Sequence, residues 1–321
     1  MTDLAVYDHI EVVRGPTGLT QANGEPGGTI NAVRKKPTSN RQISVELQGD
    51  RWGQARAVVD ASNSLNADKT IRGRFVGVAE RLDTFVDRTE GSKGTLYGVM
   101  DFQLGNATVL TAGAMYQRIN ETPDYYGVPM IEPQSNTSLM PRGSFLGFDW
   151  SKNVYKKTNL FMDVEHYFSD DWKLTGKLNH VKNNADTRYG YIGSSATGFG
   201  GLSTRGQRLP TNWQNRFVNE GEQIGVQVNL NGTYSLLGRK HDFFSGYTYS
   251  YESTDADRRQ FNIAGQFDPF TFGGQGLPEP NWNQGSGYWM QMDYTDKIIS
   301  NALMLGTRSA KIGRASCRER V

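Results

Sequence analysis

The stretch Gln54-Ala-Arg-Ala-Val-Val-Asp-Ala-Ser62 alternates between small apolar side chains and polar ones. In an extended chain every second residue points to the same face. The residues of the apolar face are Ala55, Ala57, Val59 and Ala61. Those of the opposite face include Gln54, Arg56, Asp60 and Ser62. This pattern predicts a β-strand with one apolar face and one polar face.

The same alternation recurs along most of the chain. It is clear in residues 70–80, 95–104, 160–165, 173–179, 224–231 and 243–251. The stretch 109–116 is ambiguous, because both of its faces are largely apolar. We predict about ten antiparallel strands between residues 41 and 308.

The predicted connections between these strands alternate in length. Short ones lie at residues 66–68, 105–107, 169–171 and 236–239, and long ones span 81–93, 121–157, 183–220 and 253–286. Transmembrane β-barrels have short periplasmic turns, long extracellular loops, and strands that are apolar outside and polar inside. A soluble β-sandwich rarely places several loops of about 30 residues at one end. The sequence therefore predicts an all-β fold, a transmembrane antiparallel β-barrel.

Composition narrows the functional classes. The 321 residues contain 35 Lys and Arg against 33 Asp and Glu, which argues against a strongly basic nucleic-acid surface. The mean hydropathy of −0.59 argues against membrane-spanning helices. It is compatible with spanning β-strands, which need only about 9–11 residues with one apolar face. Cys317 is the only cysteine, so an internal disulfide is excluded.

Neither catalysis nor a resident metal is supported by a motif. The chain has no Gly-x-Ser-x-Gly elbow, no His-Glu-x-x-His and no Gly-Lys-Ser/Thr phosphate loop. The four histidines lack metal-ligand spacing; they are His9, His166, His180 and His241. We expect no enzyme activity and no cofactor. An outer-membrane lipase, also a barrel, stays open as an alternative that no motif supports.

The first forty residues differ from the rest. His9-Ile-Glu-Val-Val-Arg-Gly-Pro16 is a short apolar strand that ends at Gly-Pro. A glycine-bounded loop follows at residues 17–24, and Glu25-Pro-Gly-Gly-Thr-Ile-Asn-Ala-Val33 returns as a strand. Arg34-Lys-Lys-Pro37 closes the segment. The paired glycines before the second strand permit positive φ or a close backbone approach.

These motifs resemble the plug domain of the TonB-dependent receptors. The resemblance is carried by Ile10-Glu-Val-Val-Arg-Gly-Pro16, by Pro26-Gly-Gly-Thr-Ile-Asn31 and by Lys36-Pro37. The second motif and the later layout of strands and loops are most similar to the siderophore-receptor branch, up to about residue 308. Thr20-Gln-Ala22 departs from the family, which has a Tyr-Gly pair at this point.

The resemblance implies a barrel of about 22 strands around an N-terminal plug. Residues 1–40 would then be the C-terminal part of the plug, and residues 41–308 would hold about 10 of the strands. We expect residues 309–321 to be a non-native tail, because they abandon the alternation; a genuine polar tail is the alternative. An incomplete set of strands leaves open edges in lipid, and the start carries no signal peptide. We therefore expect the natural protein to be longer at both ends.

The resemblance also implies a location in the outer membrane of a Gram-negative bacterium. It implies uptake of a ferric siderophore, driven by the inner-membrane TonB complex and the proton-motive force. The siderophore would hold the iron, and the TonB-contacting segment would precede the plug. Haem, cobalamin or a glycan are alternative cargoes. A passive porin-type barrel is a further alternative, against which an occluding plug argues.

Two plug residues, Glu11 and Arg14, are candidates for coupling the plug to the barrel. A buried charge without a partner is costly, so ion pairs across the boundary would hold the plug in place. Local ion pairs within the plug are the alternative. The candidate barrel partners on polar faces are Arg72, Arg74, Glu80, Asp163 and Glu165.

A second set of residues is predicted to bind the ligand. Aromatic walls with a few polar groups suit flat, partly apolar chelates, although Trp and Tyr also form girdles at membrane surfaces. The predicted ligand-binding residues are Thr20, Gln21, Asn23, Tyr125, Tyr126, Trp150, Tyr189, Tyr191 and Trp213. Cations that could attract an anionic chelate are Arg142, Arg188, Arg205 and Arg208.

Overall fold

A computed structural model describes residues 2–14, 28–124, 141–192, 209–262, 266–267, 278–283 and 290–309. It starts with a single 3-10 turn, Leu4–Val6, which the Asp3 carboxylate caps by accepting a hydrogen bond from the backbone N–H of Ala5. Two strands follow, β1 (Tyr7–Arg14) and β2 (Gly28–Arg34), and they pair antiparallel in a sheet of their own. We call residues 2–14 and 28–40 the N-terminal segment.

The remaining strands form one long antiparallel sheet, in which neighbouring strands follow one another along the chain except at one two-residue strand. Its strands are β3 (Gln42–Gly49), β4 (Ala55–Ser64), β5 (Ile71–Leu82), β6 (Gly91–Leu104), β7 (Thr108–Glu121), β8 (Lys152–Ser169), β9 (Trp172–Ile192), β10 (Leu209–Leu236), β11 (Arg239–Asn262), the two-residue β12 (Gln266–Phe267) and β13 (Met290–Ser309). β12 pairs only with β10, and the other ten strands form the path that the alternation predicted. None of the described residues belongs to a helix that is long and apolar enough to cross a membrane.

The outer face of the sheet is apolar and exposed, as predicted. Leu96, Leu160 and Leu303 point outward and are 55%, 49% and 78% exposed. On β7, the residue pair Met115 and Tyr116 resolves the ambiguous stretch, because Met115 is buried inside and Tyr116 is 42% exposed outside.

The inner face of the sheet covers the N-terminal segment. Val6 is 1% exposed there, in a cluster formed with Val58, Val76, Val78, Tyr97, Val99, Met115 and Phe161. The inner face is therefore not uniformly polar, because the N-terminal segment shields these side chains from water.

Short and long connections alternate as predicted, but the predicted lengths of the long ones are wrong. The long connections cover only residues 83–90, 122–151 and 193–208 and the region between β11 and β13. β9, β10 and β11 run for 21, 28 and 24 residues, far beyond the about 9–11 that a bilayer requires. Beyond the bilayer both faces meet water, so the alternation fades. The backbone ladder continues nevertheless, as where Val218 pairs with Asp186 and Asp257.

Candidate functional site

The N-terminal segment is fixed to the sheet by a buried group of four charged residues. The Asp3 carboxylate accepts hydrogen bonds of 2.7 and 2.9 Å from Arg56 and lies 2.7 Å from the Lys93 ammonium. Glu80 accepts a second bond from Arg56, at 2.7 Å, and lies 3.4 Å from Lys93. The backbone N–H of Asp3 donates to Gln117 at 2.9 Å. Two acids therefore balance two bases at a site where the Asp3 side chain is 1% exposed.

These contacts determine the charge state of Asp3. Burial opposes ionisation of the carboxyl group, but the hydrogen bonds from Arg56 and Lys93 favour the charged form. Their combined effect holds the pKa of Asp3 well below its ordinary value of 3.8. Asp3 is therefore an anion throughout the physiological range, and it needs both cations.

The other end of the N-terminal segment makes a second set of ion pairs. The Lys35 ammonium lies 2.8 Å from Asp60, which also accepts hydrogen bonds of 2.7 and 2.8 Å from Arg74. Lys36 lies 3.1 Å from Glu165. The backbone carbonyl of Lys36 accepts a hydrogen bond of 3.0 Å from Arg74. The run of cations that closes the segment thus faces acids on β4 and β8.

Arg34 extends this attachment across the inner wall. Its guanidinium donates to Asn179 at 2.8 Å and lies 4.2 Å from the ring centroid of Phe161. The Tyr97 hydroxyl donates to the backbone carbonyl of Lys35 at 2.7 Å. Contacts with β4, β5, β6, β8 and β9 therefore converge on three consecutive basic residues.

The predicted coupling residues lie elsewhere. Glu11 accepts a hydrogen bond of 2.7 Å from Asn31 and lies 3.3 Å from His9, so its described contacts stay within the two-stranded sheet. Arg14 is exposed at the end of β1. Within the described ranges, neither residue makes an ion pair with the predicted partners Arg72, Arg74, Glu80, Asp163 or Glu165. The coupling role of Glu11 and Arg14 stays a prediction.

Three residues that sequence reasoning missed make the contacts instead. They are Asp3, Lys35 and Lys36. Two of the predicted barrel partners contact Lys36, Arg74 at its backbone carbonyl and Glu165 at its ammonium group. A third predicted partner, Glu80, belongs to the buried charged group around Asp3. A signal was present in the sequence, because three successive cations precede strands whose polar face carries Asp60 and Glu165. Nothing in the sequence marked Asp3, since its partners are 53 and 90 positions away.

Trp150 lies in a packed aromatic group at the end of the sheet with the long connections. It stacks on Phe148 at 5.4 Å between ring centroids and meets the edge of Trp282 at 6.0 Å. The indole N–H of Trp282 donates to Glu279 at 2.7 Å, and Glu279 also accepts from Arg188 at 2.9 Å. These contacts fasten residues 278–283 over the neighbouring strands.

Tyr189 lies on the inner face, because alternation along β9 places it on the same side as the buried Val181. It stacks on Phe217 of β10, with 6.0 Å between the centroids and 9° between the ring planes. The guanidinium of Arg258 lies 4.8 Å from the Phe217 centroid. The neighbouring Gln260 is fully buried, and its side-chain amide has no hydrogen-bond partner among the described residues. An aromatic pair, a cation and an amide thus line the upper inner wall.

The other predicted ligand residues cannot be placed in the same way. Thr20, Gln21, Asn23, Tyr125 and Tyr126 lie outside the described residues, as do Arg205 and Arg208. Tyr191 and Trp213 are described only as backbone, at the upper ends of β9 and β10. Arg142 lies 4.5 Å from the Phe85 centroid, and Arg188 is paired with Asp186 and Glu279. The described part of the chain contains no group of three His, Cys, Asp or Glu side chains that could hold a metal.

No protein-family model matches the chain. It is 30% identical over 249 residues to the ferric-pyoverdine BN7/BN8 receptor of Pseudomonas putida. The aligned region covers 77% of this chain and 30% of that protein. It is 28% identical over 294 residues to the ferripyoverdine receptor of Pseudomonas aeruginosa, covering 90% and 35% of the two chains. It is 24% identical over 254 residues to the metal-pseudopaline receptor CntO of Pseudomonas aeruginosa, covering 79% and 34%. The chain thus spans about a third of the length of these curated relatives.

Solved structures share the fold. The crystal structure of the outer-membrane ferripyoverdine receptor of Pseudomonas aeruginosa, bound to ferripyoverdine, superposes with a TM-score of 0.81 and 26% identity. The superposition covers 95% of this chain and 40% of that one. The plug motifs, the strand order of the sheet and the similarity to these receptors over most of the chain all lead to one assignment. The chain belongs to the TonB-dependent siderophore receptors of the Gram-negative outer membrane.

Proposed function

We propose that the chain forms the plug–barrel junction of an outer-membrane transporter for a ferric siderophore of the pyoverdine class. The observation that carries the proposal is the similarity to pyoverdine receptors over 77–90% of the chain. TonB and the proton-motive force would supply the energy. The iron would stay with the oxygens of the siderophore, so the protein would bind the chelate as a whole.

The upper inner wall supports this proposal. Tyr189 and Phe217 offer a stacked aromatic surface, and Arg258 adds a cation beside it. Such a surface suits a flat, partly apolar chelate that carries negative charge. We propose that Tyr189 and Phe217 contact the ligand, together with the predicted residues Thr20, Gln21, Asn23, Tyr125, Tyr126, Trp150, Tyr191 and Trp213.

Coupling would act on the ion pairs of the N-terminal segment. A substrate can pass only if the plug moves, so the contacts of Asp3, Lys35 and Lys36 with the barrel must loosen during transport. Glu80 would keep Arg56 and Lys93 paired when Asp3 leaves, since it contacts both. This arrangement lowers the cost of release, because a buried charge left unpaired would cost several kcal/mol, about 3–5. Glu11 and Arg14 remain proposed contributors to the same step.

A second candidate cargo is a chelate of another metal. The 24% identity to a metal-pseudopaline receptor favours it. The two cargoes are distinguished by an uptake assay in a strain that lacks its own receptors and carries a full-length receptor containing this chain. We expect labelled iron to enter with ferric pyoverdine and to stop entering when the proton-motive force is collapsed.

Other outcomes of this assay would contradict the proposal. Uptake of a metal–pseudopaline chelate without uptake of ferric pyoverdine would favour the second candidate. Entry of ferric pyoverdine that persists without the proton-motive force would indicate a passive porin. Haem, cobalamin and a glycan complete the panel, so that each alternative cargo has its own measurement.

A further inference from the structure

One carboxylate on the inner wall lies among cations of the plug but is bonded to none of them. Asp163 is half-buried on β8, two residues after Phe161 and two residues before Glu165. Since every second residue of a strand shares a face, all three side chains point toward the plug. The charges of Arg34 and Lys36 act on Asp163. Among the described residues, however, no side chain donates a hydrogen bond to its carboxylate or forms an ion pair with it.

Arg34 is the plug cation that lacks an acid of its own. Its guanidinium donates to the neutral amide of Asn179 at 2.8 Å and lies over the Phe161 ring. Within the described ranges no carboxylate forms an ion pair with it. A contact between arginine and a carboxylate adds a second charge and often a second, parallel hydrogen bond. A carboxylate would therefore hold Arg34 more strongly than the amide does.

Asp163 lies on the periplasmic side of the present position of Arg34. Arg34 is held at the row of Phe161 and Asn179, which are directly opposed on β8 and β9. The next inward-facing row contains Asp163 and is about 7 Å away along the strands. β8 starts after a long connection and ends at a short turn, so this next row is nearer to the periplasm. A plug drawn toward the inner membrane would therefore carry Arg34 to Asp163.

The ion pairs that such a movement would break leave no bare acid on the barrel. Glu165 would lose Lys36, but it also lies 2.7 Å from Lys173 of β9. Asp60 would lose its plug cation, but it would keep both hydrogen bonds from Arg74. These two acids are thus paired by the barrel itself. Asp163 differs from them, because it can accept a cation from the plug.

We propose that Asp163 is a second binding position for Arg34, occupied when the plug is displaced toward the periplasm by about 7 Å. The Arg34 guanidinium then leaves Asn179 and forms an ion pair with the Asp163 carboxylate. This ion pair stabilises the displaced plug while the siderophore passes. Asp163 is a positioning residue, because it acts through Arg34. The inference rests on the proposed transport function, in which the plug moves.

The test measures uptake of labelled ferric pyoverdine by cells that produce a full-length receptor containing this chain. We expect Asp163→Asn to lower the maximal rate of uptake about tenfold, since a hydrogen bond between charged groups is worth about that factor. The ligand concentration for half-maximal uptake should not change. The protease resistance of the plug without ligand should not change either, because no described plug residue is bonded to Asp163. Asp163→Glu keeps the carboxylate and should transport nearly as fast as the unchanged receptor.

Two further variants separate Arg34 from another cation near Asp163. Lys177 is directly opposed to Asp163 on β9, but the two form no ion pair in the described structure. Lys177→Gln should therefore leave uptake unchanged. Arg34→Gln combined with Asp163→Asn should be no slower than the slower of the two single variants, because both changes remove the same contact.

Unchanged uptake in Asp163→Asn would overturn the inference. So would an equal loss in Lys177→Gln, or losses that multiply in the double variant. Failure of Asp163→Asn to fold, or a less resistant plug without ligand, would also overturn it, because either would show a structural role for the carboxylate. Failure of the proposed function is a separate result, in which the unchanged receptor takes up no ferric pyoverdine. The same variants are then compared with the cargo that the receptor does carry.

Discussion

Asp3 and Arg56 are joined by two hydrogen bonds, 2.7 and 2.9 Å long, across the boundary between plug and barrel. Both oxygens of the carboxylate are used, and the guanidinium also reaches Glu80. The contact fixes the start of the described plug to β4. Val6, three residues further along the chain, is buried in the apolar cluster of the inner wall. Polar and apolar attachment thus coincide within four residues.

The first prediction concerns the strength of this attachment. Asp3→Asn should destabilise the plug by about 3 kcal/mol, because it leaves two cations with one acid in a buried site. The loss should stay at the lower end of the usual range, since Glu80 remains in contact with both. Protease cleavage of the plug at increasing urea concentration measures it. Asp8→Asn, at an exposed residue that pairs with His9, is the matched control and should change little.

The second prediction concerns acid. The folded-state pKa of Asp3 lies below the ordinary value of 3.8, so its stabilisation is fully present above that pH and is lost as the pH falls toward the lowered pKa. The difference in Tm between the unchanged protein and Asp3→Asn should therefore be large at about pH 7 and should shrink at about pH 3. A difference that stays constant between these two pH values would show that the charge of Asp3 is not responsible.

The third prediction concerns close packing on the inner face. A Cβ atom at Gly113 would overlap the Phe161 ring and would lie 2.8 Å from the carbonyl oxygen of Gly98. Gly113→Ala should cost about 1–3 kcal/mol, since overpacking forces the ring to move. Phe161 stacks near Tyr97 and lies under Arg34, so the displacement should also loosen the plug.

Gly98→Ala provides the control for this third prediction. Gly98 is on the neighbouring strand, and a Cβ atom there would meet no atom within 4 Å. Chemical denaturation of both variants gives the comparison. Equal stability of the two variants would mean that Phe161 can move without cost.

The fourth prediction concerns the ligand wall. Tyr189→Ala removes the stack on Phe217 and should weaken binding of ferric pyoverdine about tenfold, within the range for removal of an aromatic side chain at a binding site. Tyr189→Phe keeps the stack and should bind nearly as well as the unchanged receptor. Fluorescence quenching titrations measure both. An equal loss in the two variants would assign the effect to the hydroxyl group instead.

Much of the barrel follows from local sequence, because lipid imposes a period of two on every spanning strand. The alternation in 54–62 predicts β4 and its outward face correctly. It fails in the upper halves of β9 to β11, where water on both faces removes the constraint. There the strands are held by ladder pairing between segments that are distant in sequence, as between Trp213 and Asn262.

The site was harder to predict than the fold. The motif around Glu11 and Arg14 identified the family, but the described plug contacts belong to Asp3 and to the cations at 34–36. These contacts depend on how the plug sits against the wall, which no short-range pattern records. Tyr189 was among the predicted residues, whereas its partner Phe217 was not, because only the register of β9 and β10 brings the two rings together.

The strands of this wall differ greatly in length, from 8 residues in β3 to 28 in β10. At about 3.3 Å per residue, that is about 26 Å of chain on one side and about 92 Å on the other. The extracellular edge of the sheet is therefore low at β3 and high at β10. A ligand that approaches from the side of β3 to β6 therefore meets shorter strands than one that approaches from the side of β9 to β11. A ligand that enters over the short strands would face the inner wall of β9 and β10, where Tyr189 and Phe217 lie.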